Sequence, residues 1–239
     1  MIQNTSARCY RYSLRQLTDF KSKVVSEEDY GMYLEIDGFK FMTRMAGRFN
    51  VSNLTAVYGA AMLLEDFEKE ALIEKISGLK GPKGRMEIVA SRPRVIVDYA
   101  HTPDALQNVL KAMMGHRKNG RLIVVVGCGG DRDKAKRPLM GSIAATMCDY
   151  AIFTSDNPRS EDPAQIIADM MTGLNREQKS SVLDIEDRKV AIKTALALAK
   201  DEDLVVIAGK GHEQYQEIKG KRHFFSDQQI VKDILSKDI

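Results

Sequence analysis

A chain of 239 residues can bury a sizeable core, and length alone predicts one or two domains. A hydrophobic content of 44% and a charged content of 29% are those of a globular protein, and a net charge of +3 with no aromatic-rich basic stripe does not imply a nucleic-acid partner. Cys9, Cys128 and Cys148 have neither disulfide-framework nor metal-type spacing, no signal peptide opens the chain, and no apolar run nears the ~18 residues of a membrane span, so a cytoplasmic protein with reduced thiols is expected.

Residues 1–46 carry β-leaning, alternating stretches, notably Tyr30–Ile36 and Phe39–Thr43, and predict a small antiparallel region with no obvious core of its own. Apolar residues recur at helical spacing from Val51 to Leu64, with Asn50 as the expected N-cap, and a second short helix is expected over Glu68–Ser77. Gly78-Leu-Lys-Gly-Pro-Lys-Gly84 reads as the linker, because glycine and proline at this density end helices.

Beyond the linker, strands alternate with helices. Strands are expected at Val95–Asp98, Leu122–Val126, Tyr150–Thr154, Ser181–Ile185 and Leu204–Ala208. Helices are expected at Asp104–Met114, Lys136–Met147, Pro163–Leu174 and Arg188–Lys200, with a last one after a cap at Ser226-Asp227. Short β runs between helices of 10–15 residues predict βαβ units, hence a doubly wound, mostly parallel α/β sheet over residues 85–239.

Four loops fall at the carboxyl ends of these strands, where open α/β sheets bind ligands. Thr154-Ser-Asp-Asn-Pro-Arg-Ser-Glu-Asp-Pro163 places Asp156, Asn157 and Arg159 side by side. A guanidinium grips a carboxylate bidentately and an Asp accepts from an ammonium group, so this loop suits a zwitterion. The same residues also suit a plain turn started by Asn-Pro, with Ser160 or Asp162 as cap of the next helix. In Asp98-Tyr-Ala-His-Thr-Pro-Asp104, capping accounts for Thr102 and Pro103 but not for Tyr99 and His101, an aromatic pair able to flank a purine, or Asp98, able to accept from a ribose. Gly127-Cys-Gly-Gly-Asp-Arg-Asp-Lys134 offers backbone N–H groups to an anion and Arg132 to a carboxylate, without the spacing of the dinucleotide fingerprint. Gly209-Lys-Gly-His-Glu213 offers close backbone approach at Gly209 and a carboxylate at Glu213, and no Walker A motif occurs in the sequence.

Together with Gly47-Arg-Phe-Asn-Val-Ser-Asn53 and Gly84-Arg-Met-Glu87, these loops make six ordered blocks over about residues 30–239 that resemble the Mur ligase family. The resemblance implies ATP- and Mg2+-dependent amide formation in peptidoglycan synthesis, through an acyl phosphate attacked by the incoming amine. It implies ATP contacts from Asn50, Arg85, Asp98, Tyr99 and His101, and amino-acid contacts from Arg132, Asp156, Asn157, Pro158, Arg159, Gly209 and Glu213. Arg159 after Asp-Asn-Pro implies meso-diaminopimelate as the amino acid and a UDP-N-acetylmuramoyl dipeptide as its acceptor, since the guanidinium can pair with the far carboxylate and repels the ammonium of lysine. By the same resemblance, residues 1–80 are the end of a central ATP-binding domain and residues 81–239 the C-terminal domain. The family's phosphate loop and metal-holding lysine have no counterpart in the sequence, so activity is expected only with an N-terminal half. The alternatives are a non-catalytic amino-acid-binding or interaction module and, ranked lower, a lysine-adding or folylpolyglutamate-type ligase.

Overall fold

The computed structural model describes residues 5–28, 31–45, 47–64, 67–117 and 119–236, so Tyr30 of the expected strand Tyr30–Ile36 lies outside the described residues. The chain divides into two units, Met1–Gly81 and Pro82–Ile239.

In the first unit, strands β1 (Tyr12–Ser13), β2 (Phe20–Glu28), β3 (Gly31–Ile36) and β4 (Phe39–Thr43) form one sheet in that order. β1 pairs parallel with β2, and the remaining pairs are antiparallel. Asp37 and Gly38, both at positive φ, join β3 to β4, which is the backbone a two-residue hairpin turn requires. Helices α1 (Arg48–Leu64) and α2 (Lys69–Ser77) cover the sheet. Met32, Leu34 and Ile36 alternate onto one face of β3 and meet Val51, Leu54 and Tyr58 of α1 and Leu72, Ile73 and Ile76 of α2. The expectation of a unit without its own core is therefore corrected. The strands alone carry too little apolar surface, and the two helical stripes supply the rest. A second correction concerns Asn50, which is buried inside α1 rather than capping it, because the helix opens two residues earlier at Arg48.

The second unit holds β5 (Glu87–Ser91), β6 (Arg94–Asp98), α3 (Pro103–His116), β7 (Leu122–Val126), α4 (Lys136–Met147), β8 (Tyr150–Phe153), α5 (Pro163–Met171), β9 (Val182–Asp184), α6 (Arg188–Leu198), β10 (Leu204–Ala208), β11 (Tyr215–Ile218), β12 (Lys221–Phe224) and α7 (Asp227–Leu235). The main sheet runs β5-β6-β10-β7-β8-β9, parallel except for the antiparallel β5 edge. Helix starts follow their local chemistry: Thr102, Asp162, Asp187 and Ser226 each accept a backbone N–H of the first turn, with proline next in line after Thr102 and Asp162. From β6 to β9 the chain travels across the sheet in one direction, and from β9 to β10 it returns, so right-handed crossovers put α6 on the face opposite α3, α4 and α5. Val95, Val97, Ile123, Val125, Val205 and Ile207 pack on one face beneath Ala191, Ile192 and Ala195 of α6 and Val231 of α7. The central strands β7 and β10 are buried along their whole length, as continuous apolar runs predict.

Candidate amino-acid site at the strand ends

The carboxyl ends of β6, β10, β7 and β8 are neighbours, so the loops that follow them converge. They line a cleft of about 590 Å³ that brings together Tyr99, His101, Arg132, Asp156, Asn157, Arg159, Gly209 and Glu213. Lys136, the residue before Arg137 in α4, also lines it and donates to His101 O at 2.9 Å.

Asp156 and Asn157 are buried at the end of β8. Gln216 Nε2 donates to Asp156 O at 2.8 Å, and Asn157 Nδ2 donates to Glu213 Oε2 at 2.9 Å. Gly209 follows β10 with φ +116, a backbone open to glycine. A Cβ there would lie 2.5 Å from Asp156 Oδ2, so the loop after β10 fits against the loop after β8 only without a side chain. Gly130 plays the same part for the loop after β7, since a Cβ would collide with Pro158 O. Pro158 itself does not line the cleft and supplies that packing surface.

Arg159 sits at φ +52. Its backbone N–H donates to Glu217 O at 3.0 Å and its carbonyl accepts from Lys219 N at 2.6 Å, both on the β11–β12 hairpin. Its Nη1 donates to Gly130 O at 2.7 Å, which aims the guanidinium into the cleft beside Gly129. Arg132 is exposed at the rim. The guanidinium groups of Arg132 and Arg159, the Lys136 ammonium and the carboxylates of Asp133, Asp156 and Glu213 thus line one cavity, a mixed charge pattern suited to a zwitterion.

The other predicted residues behave differently. Asp98 is buried, and its two carboxylate oxygens accept from Met86 N at 2.7 Å and Ala100 N at 2.8 Å. Burial pushes its pKa up, with these bonds and the Arg85 charge opposing. Asp98 is thus committed to holding its loop and does not line the cleft. Tyr99 packs edge-on against His101 with ring centroids 4.7 Å apart, and Arg85 stacks over its other side at 4.8 Å. Burial, then the charges of Glu213 and Asp156, raise its phenol pKa, so Tyr99 stays neutral. Asn50 belongs to the first unit.

Sequence reasoning missed the residues that hold these loops. Arg137 is fully buried and donates to Glu161 Oε1 at 2.8 Å and Asp169 Oδ2 at 2.8 Å, while Asp131 N donates to Glu161. The loops after β7 and β8 are clamped together by this network. Arg188 and Asp227 form a buried bidentate pair, and Arg188 Nη2 also donates to Ala208 O at 3.0 Å, pinning the end of β10. Among the described residues no group of three His, Cys, Asp or Glu side chains is placed to hold a metal ion.

Fold and site together define a doubly wound α/β domain with a cleft at its strand ends. The chain belongs to the Mur ligase family: the family model described as Mur ligase, glutamate ligase domain, matches residues 84–211. It is 48% identical over 237 residues to a UDP-N-acetylmuramoyl-L-alanyl-D-glutamate--2,6-diaminopimelate ligase of Cytophaga hutchinsonii, covering 98% of this chain and 49% of the relative. A ligase of the same name from Phocaeicola vulgatus is 49% identical over 242 residues, covering 100% and 50%. A solved structure of a ligase of that name superposes with a TM-score of 0.70 at 41% identity, covering 96% of this chain and 48% of the other. Folylpolyglutamate synthase from Thermotoga maritima, at 21% identity and TM-score 0.62 over 80% of this chain and 44% of its own, shares the fold alone. The chain spans about half the length of the relatives it matches.

Proposed function

We propose that this chain is the C-terminal, amino-acid-binding part of an ATP-dependent ligase that joins meso-diaminopimelate to UDP-N-acetylmuramoyl-L-alanyl-D-glutamate in the cytoplasm. The observation that carries the reading is Arg159, held by Gly130 O with its guanidinium lining the cleft that also holds Asp156 and Glu213. The carboxylates receive an ammonium group, and Arg159 pairs with the carboxylate at the far end of the ligand. Lysine would bring an ammonium to the same guanidinium and be repelled. That charge argument favours diaminopimelate over a lysine-adding reading.

In the complete reaction ATP would phosphorylate the acceptor's carboxylate, leaving ADP, and the bound amine would attack the acyl carbon, forming the amide as inorganic phosphate and a proton leave. The contribution of this half is to fix the amine in a reactive geometry, which turns a bimolecular encounter into a positioned one. Tyr99, His101 and Arg85 form an aromatic and cationic wall that fits a nucleotide. Magnesium, when bound, would neutralise phosphate charge.

The alternative is a module that binds the amino acid without activating its partner. Mixing the chain with a separately expressed N-terminal half, ATP, magnesium, the UDP-linked dipeptide and radiolabelled meso-diaminopimelate distinguishes the two. Tripeptide product is expected. Binding of diaminopimelate without product at any stoichiometry would leave the binding module as the function.

A further inference from the structure

Lys210 has no role in the function proposed above, yet it is the one fully buried lysine among the described residues. It lies between Gly209 and Gly211, whose φ values of +116 and +52 reverse the backbone on either side of it. Its ammonium donates to Asn157 Oδ1 at 3.0 Å and to Glu213 Oε2 at 3.3 Å, lies 3.8 Å from Asp156 Oδ1, and sits 5.6 Å from the centre of the Tyr215 ring. Three residues of the cleft wall thus meet on one cation that does not itself line the cleft.

Asn157 Oδ1 also accepts from Glu217 N at 3.0 Å, so both of its lone pairs are engaged. Rotating the amide by half a turn would set its NH₂ group against an ammonium and a backbone N–H, donor against donor. Nδ2 is therefore fixed towards Glu213, and Glu213 Oε2 is held by Nδ2 and Lys210 together. Among the described residues both hydrogen bonds to the Glu213 carboxylate fall on Oε2, which leaves Oε1 for a ligand.

We propose that Lys210 is a positioning residue of the amino-acid site: from beneath the cleft it locks the amide orientation of Asn157 and the carboxylate of Glu213 in the arrangement that receives the ligand's ammonium group. The proposal rests on the amino-acid-binding reading and acts through Asn157, which makes it separable by a double-mutant cycle. The whole chain is titrated with meso-diaminopimelate in a calorimeter as wild type, Lys210→Met, Asn157→Ala and the double variant. Lys210→Met is expected to weaken binding by about tenfold or more, the scale of a charged hydrogen bond. In the Asn157→Ala background the same change should cost several-fold less than in the wild type, because only the Glu213 contact of Lys210 then remains. Full multiplication of the two losses, or a Lys210→Met chain that binds like wild type, overturns the proposal and leaves the amino-acid site standing. No binding by the wild-type chain overturns the amino-acid site itself, and this role with it. A readout on the wild type covers the case of a variant that does not fold. A locked ammonium exchanges slowly, so a lysine Nζ–H signal should be visible by ¹H–¹⁵N NMR and should move when diaminopimelate is added. An absent or unmoved signal overturns the role.

Discussion

Arg159 carries two separable burdens, one in its backbone and one in its side chain. A left-handed φ of +52 costs a residue with a Cβ about 1–2 kcal/mol, and the bonds to Glu217 and Lys219 hold it there. Arg159→Gly should therefore melt higher than Arg159→Ala by the equivalent of about 1 kcal/mol, while both lose the ligand alike. Equal melting temperatures would remove the backbone burden from the account. At Gly209 the expectation runs the other way: Gly209→Ala strains φ +116 and crowds Asp156 Oδ2, so unfolding by urea should report a loss of about 1–3 kcal/mol. Thiol labelling is a further residue-scale check. Burial raises the Cys128 pKa to about 12 and pushes Cys148 up as well, whereas Cys9 is exposed. A thiol reagent should titrate Cys9 in the native chain and all three cysteines in denaturant.

Among the elements, the clamp between the loops after β7 and β8 depends on charge. Hydrogen bonds from Arg137 first, and then from Asp131 N, lower the Glu161 pKa from 4.5 to about 2. A carboxyl with a depressed folded pKa contributes stability that is fully present above the unfolded value and is lost as pH falls through the folded one. The clamp should therefore weaken between about pH 4.5 and 2, and Glu161→Gln should flatten the acid limb of a stability-versus-pH curve. An unchanged limb would contradict this. Arg137→Met should cost about 2–3 kcal/mol and loosen both loops. This layer was the least legible in the sequence. The strand and helix series after the linker could be read because continuous apolar runs and Asp, Ser or Thr caps mark it directly. β5 and the β11–β12 hairpin could not, since their residues are half-buried or exposed and carry no burial rhythm. Nothing in the sequence around Arg137, Arg188 and Lys210 marks them as buried, and only tertiary packing turns them into internal fasteners. Asn50 looked like a cap because Asn favours that position, while Arg48 and Phe49 extend the helix past it.

On the scale of the molecule, each unit has its own apolar core, one around β3 and α1 and one around β6, β7 and β10. All of the side chains that line the strand-end cleft come from the second unit. Residues 82–239 expressed alone should thus unfold in one cooperative transition and bind diaminopimelate within about threefold of the whole chain. A non-cooperative melt would mean that the second core does not suffice.

The central claim is that the strand-end cleft selects a zwitterion with a second carboxylate. Its most direct test is a calorimetric titration of the whole chain with meso-diaminopimelate and with L-lysine, repeated for Arg159→Ala. The account predicts saturable binding of diaminopimelate, at least about tenfold tighter than lysine, and a loss of about 2–5 kcal/mol of that affinity in the variant. Equal affinity for the two amino acids, or for the two proteins, would contradict it.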